Sequence, residues 1–165
     1  MKRIMIIVLL MVMAILSDSC GSISKTKSSE KKTIDEKIWD IGGEILEGYK
    51  NKDKNQILSF FSENNNGSFI EKEIEDSFSF IDGEIIDYRD IHGSSGGGKV
   101  RDGEYVLRLG NGTIREIKTD SGKVYQINYF ICLIDKSDEK NVGVTHILIN
   151  ELGGEEEQFE IGTEN

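Results

Sequence analysis

The sequence predicts an α+β fold, with three N-terminal helices packed on one face of an antiparallel sheet of about five to six strands. Two observations predict it. Apolar residues recur every three or four positions between Ile34 and Ile81, as on the buried side of helices. From Glu84 onward the recurrence changes to every second position, as on strands. A chain with no proline leaves glycine, asparagine and aspartate to make its turns.

The first helix opens at Thr33-x-x-Glu36, a capping box in which the hydroxyl takes one backbone N–H and the carboxylate another. Ile34, Ile38, Ile41, Ile45 and Tyr49 follow on one face, widened by Trp39 and Leu46. Gly42 and Gly43 each cost about 1 kcal/mol inside a helix, so close packing against a sheet is the expected compensation for both. Asp53-x-x-Gln56 opens a short second helix bearing Ile57, Leu58, Phe60 and Phe61. Ser68-x-x-Glu71 opens a third, with Ile70, Ile74, Phe78 and Ile81 on one stripe.

Glu84 to Ile91 reads as the first strand, followed by a Gly/Ser loop from Gly93 to Gly98. Tyr105, Leu107 and Leu109 alternate along the next strand, and Asn111-Gly112 is a hairpin turn signal before Thr113 to Lys118. Ser121-Gly122 turns again. Lys123 to Ile134 is the strongest strand, with Tyr125, Ile127, Tyr129, Ile131 and Leu133 on one face. Val124, Phe130, Cys132 and Ile134 line most of the other, which predicts a mid-sheet position. A loop from Asp135 leads to the partner strand Val142 to Leu152, and Gln158 to Ile161 follows the acidic stretch Glu155 to Glu157.

Ahead of this domain stands a secretion signal. Lys2 and Arg3 form a basic start, Ile4 to Leu16 is an unbroken apolar run, and small residues lead to Cys20. The run is shorter than the roughly 20 residues a membrane-spanning helix needs. The ending resembles a lipobox, with Ser17 where leucine is usual, so acylation of Cys20 is expected. Ser17 and Ser19 equally suit an ordinary signal peptidase cutting at the same bond, and an uncleaved anchor is the third alternative. Residues 1–19 are thus read as signal peptide, 20–32 as lipid-attachment cysteine and flexible Ser/Lys-rich tether, and 33–165 as one α+β domain.

The chain carries a net charge of −10, and loss of Lys2, Arg3 and Asp18 with the signal makes it −11. Nucleic acid, a polyanion, is therefore a poor partner. With Cys20 acylated, Cys132 stands alone, which excludes a disulfide framework and a cysteine-built zinc site.

Four features together resemble an uncharacterised family of lipid-anchored proteins of Gram-positive bacteria. They are the signal ending in cysteine, the helix followed by NKDKNQILSFFSEN, the helix closing on FIDGEIIDY, and the late pair YQINYFICLID and DEKNVGVTHILI. The resemblance runs from Ile34 to about Leu152. It implies a domain similar to the nuclear-transport-factor-two-like fold, a cone-like curved sheet wrapped around helices and often leaving a pocket. It implies no catalytic residue.

Gly93, Gly98 and Lys99 match the spacing of a phosphate-binding loop, but Val100 stands where Ser or Thr must hold magnesium, and a strand follows instead of a helix. Gln126 and Asn128 interrupt an otherwise apolar strand face and, with Tyr125, Tyr129 and His146, are the candidate pocket-lining residues. Solvent against that face is the alternative. His146 is the candidate acid/base should the pocket be catalytic. Asp135, Asp138, Glu139 and Asn141 lack the glycine turn and spaced glutamate of a calcium loop and read as a solvated hairpin. No metal site and no cofactor is expected. The resulting expectation is a non-catalytic lipoprotein on the extracytoplasmic face of the cell membrane, held there through Cys20, that binds a small ligand or a protein. An immunity or inhibitor lipoprotein acting on a basic toxin or envelope protein is the second reading, and a pocket enzyme using His146 or a tyrosine the third.

Overall fold

Thr33 caps the first helix as its spacing requires. In the computed structural model, which describes residues 33–153 and 157–162, the Thr33 hydroxyl accepts from the Glu36 N–H at 3.2 Å. The Thr33 N–H donates to Glu36 at 2.6 Å, so both halves of the capping box form. This helix, α1, spans Ile34–Asn51 and ends on Lys52 in the left-handed conformation. Asp53 caps α2 (Lys54–Leu58) by accepting from the Gln56 N–H. Ser68 differs from the expectation. Gly67 is the N-cap of α3 (Ser68–Phe80), Ser68 is already helical, and no side chain caps this end.

Six strands form one open, curved antiparallel sheet: β1 (Ile85–Asp87), β2 (Asp90–Arg101), β3 (Glu104–Thr119), β4 (Val124–Asp135), β5 (Gly143–Leu152) and β6 (Gln158–Ile161). Their order is β1-β3-β4-β5-β6, with β2 beside β1 on the same side of β3. With helices followed by this sheet, the fold is α+β.

Two turn assignments move. The expected loop Gly93–Gly98 lies within β2, paired with β3 through an irregular register. The expected turn Asn111-Gly112 lies mid-strand, Asn111 opposite Ser94 and Phe130, Gly112 opposite Gly93 and Tyr129. The chain reverses instead at Asp102-Gly103, both with positive φ (51° and 82°), as a tight hairpin between right-twisted strands demands. Gly112 is required for a different reason, because a Cβ there would collide with the Tyr129 ring. The Ser121-Gly122 turn forms where expected, closed by the Thr119 N–H to Lys123 carbonyl bond at 3.0 Å.

The helices cover one face of the sheet. Ile38, Ile45, Tyr49, Ile57 and Ile74 pack with Ile114, Ile117, Tyr125, Ile127, Tyr129, Ile147 and Ile149 in a single core. Each such side chain contributes roughly 1.5–3 kcal/mol by leaving water. A bulge at Arg115–Glu116, with Glu116 at φ 48°, keeps both Ile114 and Ile117 on the inner face. Phe60 and Ser62 bond both backbone groups of Val144, fastening the segment after α2 to β5. The signal, Cys20 and the tether lie outside the described residues, as do Glu155 and Glu156 of the acidic stretch. Among the described residues, no helix is long and apolar enough to cross a membrane.

Candidate functional site

Residues of α1 spaced three and four apart share one side of the helix. Asp40, Glu44 and Glu47 occupy one such row, with Trp39 and Gly43 beside it. This row faces the place where β1 stops and β2 begins, at Tyr88 and Arg89. Between them runs an open groove of about 870 Å³, with Leu46 and Ile91 at its base. It lies at the edge of the sheet, since β1 and β2 have β3 on one side only.

Both aromatic walls are accessible, Trp39 at 45% and Tyr88 at 37% exposure. Trp39 is held in place by its indole N–H, which donates to the Gly93 carbonyl on β2 at 3.3 Å. Lys50 sits 5.5 Å from the centroid of the Tyr88 ring, so this ring already serves as a cation-binding surface within the fold. Gln56 of α2 clamps Glu44, donating to its carbonyl at 3.1 Å and its carboxylate at 2.9 Å. That clamp orients the carboxylate without cancelling its charge. Glu47 pairs with Lys50 at 2.7 Å. Arg89 is turned toward Glu116 at 2.6 Å, and Asp90 is taken up by Arg115 through two bonds of 2.6 Å. The Arg115 guanidinium holds the Asp90 carboxyl below the usual carboxylate range.

The two glycines of α1 have different roles. A Cβ on Gly42 would meet the Tyr129 hydroxyl and Ile91, so Gly42 allows the helix to approach the sheet. A Cβ on Gly43 would meet nothing within 4 Å, because Gly43 opens into the groove. The expectation of close packing holds for the first and not for the second.

The sequence-predicted pocket residues fall on two faces of the sheet. Tyr125 and Tyr129 are fully buried beneath the helices. The Tyr129 hydroxyl donates to the Ile38 carbonyl at 2.7 Å, and the Tyr125 hydroxyl accepts from the Asp82 N–H at 2.9 Å. Burial raises the pKa of both. Gln126 and Asn128 project from the opposite face, where Asn128 accepts from Thr113 at 2.9 Å and from Gln126 at 3.3 Å. His146 packs against Phe130, ring centroids 5.4 Å apart, and Phe130 is 45% exposed. Alternation along a strand separates these groups, so the five do not meet in one cavity. None of them lines the groove.

Cys132 is buried, and burial raises its thiol pKa. Asp135 accepts from Ser137, Asp138 and Asn141, which hold its carboxyl well below the usual range and account for it as a turn-forming residue. His92 lies beside Arg115 and Asp90 on the surface. No group of three His, Cys, Asp or Glu side chains able to hold a metal occurs among the described residues. The groove itself escaped sequence reasoning. The acidic row at positions 40, 44 and 47 was legible as a helical stripe, but its opposite wall comes from a strand break that no local signal marks.

The model of one family matches residues 44–154, which is most of the chain. That family is described as Domain of unknown function (DUF5104). No curated protein matches the chain.

Proposed function

The chain belongs to the DUF5104 family, and we propose that it is a binding protein held on the outer face of the cell membrane by a lipid on Cys20. Its domain binds a ligand or protein without transforming it, and its binding site is the groove between α1 and the β1–β2 break. The observation that carries this reading is the groove's composition. Two accessible aromatic rings, an apolar base and a few placed charges are what binding sites typically combine. Residues 1–19 then serve as the export signal, 20–32 as the tether and 33–165 as the domain, of the cone-like type its resemblance implies. The negative charge of the chain and of the groove disfavours nucleic acid as the partner.

The acidic row favours the inhibitor reading as the second choice, since a basic toxin or envelope protein would find complementary charge there. The enzyme reading has less support. Tyr125 and Tyr129 spend their hydroxyls on backbone groups, and His146 packs at a tilt against Phe130 away from them.

The groove reading is tested by occlusion. Gly43→Phe adds a ring where the structure has open space and leaves the core untouched. Trp39 is the sole tryptophan, so its fluorescence reports on groove occupancy. Compounds and peptides of differing charge should include at least one that changes Trp39 emission saturably in the native protein and not in Gly43→Phe. If every such response survives Gly43→Phe, the groove is not the site.

A further inference from the structure

We infer that Asn66 is a site of spontaneous covalent modification, at which attack by the Gly67 backbone nitrogen expels the side-chain amide nitrogen as ammonia. The inference is independent of the groove and of the lipid. Two Asn-Gly pairs occur in the chain, Asn66-Gly67 and Asn111-Gly112. Glycine after asparagine removes the side chain that would hinder a backbone nitrogen from reaching the amide carbon. Both pairs carry that local chemistry, and the fold treats them in opposite ways.

Asn66-Gly67 links a short 3-10 helix, Glu63–Asn65, to α3, and both residues are exposed. Three consecutive asparagines enter this link. The Asn64 amide donates to Asp138 at 3.1 Å and to Asn141 at 2.7 Å, and the Asn65 amide donates to the Thr145 carbonyl at 3.3 Å. Those bonds tie Asn64 and Asn65 to β5 and the loop before it. Among the described residues, no hydrogen bond holds the Asn66 side chain and none engages the Gly67 N–H. As N-cap of α3, Gly67 accepts from the Glu71 N–H at 3.1 Å while its own N–H stays outside the helical ladder. A Cβ on Gly67 would meet nothing within 4 Å, so a succinimide ring has room to close there.

Asn111-Gly112 lacks these freedoms. β3 is paired on both sides, with Asn111 opposite Ser94 and Phe130, and Gly112 opposite Gly93 and Tyr129. A Cβ on Gly112 would collide with the Tyr129 ring. Ring closure at Asn111 requires opening of a central strand, which belongs to the most stable part of a fold.

In the reaction the Gly67 nitrogen gives its proton to base and bonds to Cγ of Asn66. The Cγ–Nδ2 bond breaks, and the leaving nitrogen takes a proton from solvent to depart as ammonia. Water then opens the succinimide at either carbonyl. One product is aspartate, and the other is isoaspartate, whose main chain is longer by a methylene. Either places a carboxylate beside the N-terminus of α3, where no side chain caps the helix and its dipole favours negative charge.

The test incubates the full chain in mildly alkaline buffer, folded and, in parallel, unfolded in guanidinium chloride. Peptide mapping by mass spectrometry follows both asparagines. In the folded chain Asn66 is expected to convert at least about tenfold faster than Asn111. In the unfolded chain the two rates should converge, because the difference belongs to the fold. Gly67→Ala suits the extended backbone at 67 (φ −134°) and meets open space. It should slow conversion of Asn66 by at least about tenfold. Asn111 keeping pace with Asn66 in the folded chain overturns the inference. So does an intact Asn66 under conditions that convert the unfolded chain. A lead for Asn66 that persists in guanidinium chloride assigns the selectivity to local sequence and overturns the structural account. Conversion that Gly67→Ala leaves unchanged overturns the route through the Gly67 nitrogen, and the folded–unfolded comparison stands should that variant fold poorly.

Discussion

The ring of Tyr129 on β4 lies against Gly112, its paired residue on β3, in the space a side chain at 112 would take. From there the Tyr129 hydroxyl reaches the Ile38 carbonyl of α1 at 2.7 Å. A glycine on one strand thus makes room for the tyrosine that ties the sheet to the helix above it. Gly112→Ala is expected to destabilise the protein at the upper end of the usual overpacking range, about 3 kcal/mol. Tyr129→Phe removes only the hydrogen bond and should cost about 1 kcal/mol. Urea unfolding of both variants checks the order, and equal stability of Gly112→Ala and the native protein would sink this account.

Adjacent glycines in α1 should respond in opposite directions. Gly42→Ala forces a methyl against the Tyr129 hydroxyl and Ile91 and is expected to cost about 1–3 kcal/mol. Gly43→Ala meets open space and gains helix propensity, which should stabilise by up to about 1 kcal/mol. Thermal denaturation distinguishes the two, and a destabilising Gly43→Ala would mean that the groove is narrower than described.

The caps give a second paired comparison. Thr33→Ala loses the hydroxyl's half of the capping box, the bond accepted from the Glu36 N–H, and should cost about 1 kcal/mol. Ser68→Ala should change stability by less than about 0.5 kcal/mol, because Ser68 is inside α3 and caps nothing. Chemical denaturation measures both, and similar losses would contradict the assignment of Gly67 as the cap.

Acid stability should depend on Asp135. Bonds from Ser137 and Asn141 hold its folded-state pKa below the unfolded value. Its contribution is therefore present above the unfolded carboxylate pKa and is lost as pH falls through the folded one. Asp135→Asn should flatten the dependence of unfolding free energy on pH in the acid range while changing little of it near neutrality. Parallel slopes for both proteins from neutral pH downward would refute the assignment.

Attachment has a separate test. If Cys20 carries the lipid, Cys20→Ala should move the protein from the membrane fraction to the medium or leave it unprocessed. Mature protein found on the membrane with an unmodified Cys20 would end the lipoprotein reading.

Some of this was legible in the chain because the forces involved are local. The capping box at Thr33, the cap at Asp53 and the turn at Ser121-Gly122 each join residues within three or four positions. The alternation from Tyr125 to Leu133 was legible as well and puts Tyr125 and Tyr129 on the same face, since a strand places successive side chains on opposite faces. The same alternation should have warned that Gln126 and Asn128 could not share a pocket with Tyr125 and Tyr129.

By itself, then, the sequence determined an α+β domain, its three helices, its strand-rich second half and its acidic character. Those follow from periodicity and composition, which act along the chain. Only the tertiary structure decided that Asp102-Gly103 turns while Asn111-Gly112 does not. The reason is that Gly112 answers to a ring on a neighbouring strand, a contact that no short stretch encodes. Tertiary structure likewise divided Gly42 from Gly43 and brought Trp39 and Tyr88 into the lining of one groove. A groove is a relation between surfaces distant in the chain, fixed by how the helix lies on the edge of the sheet.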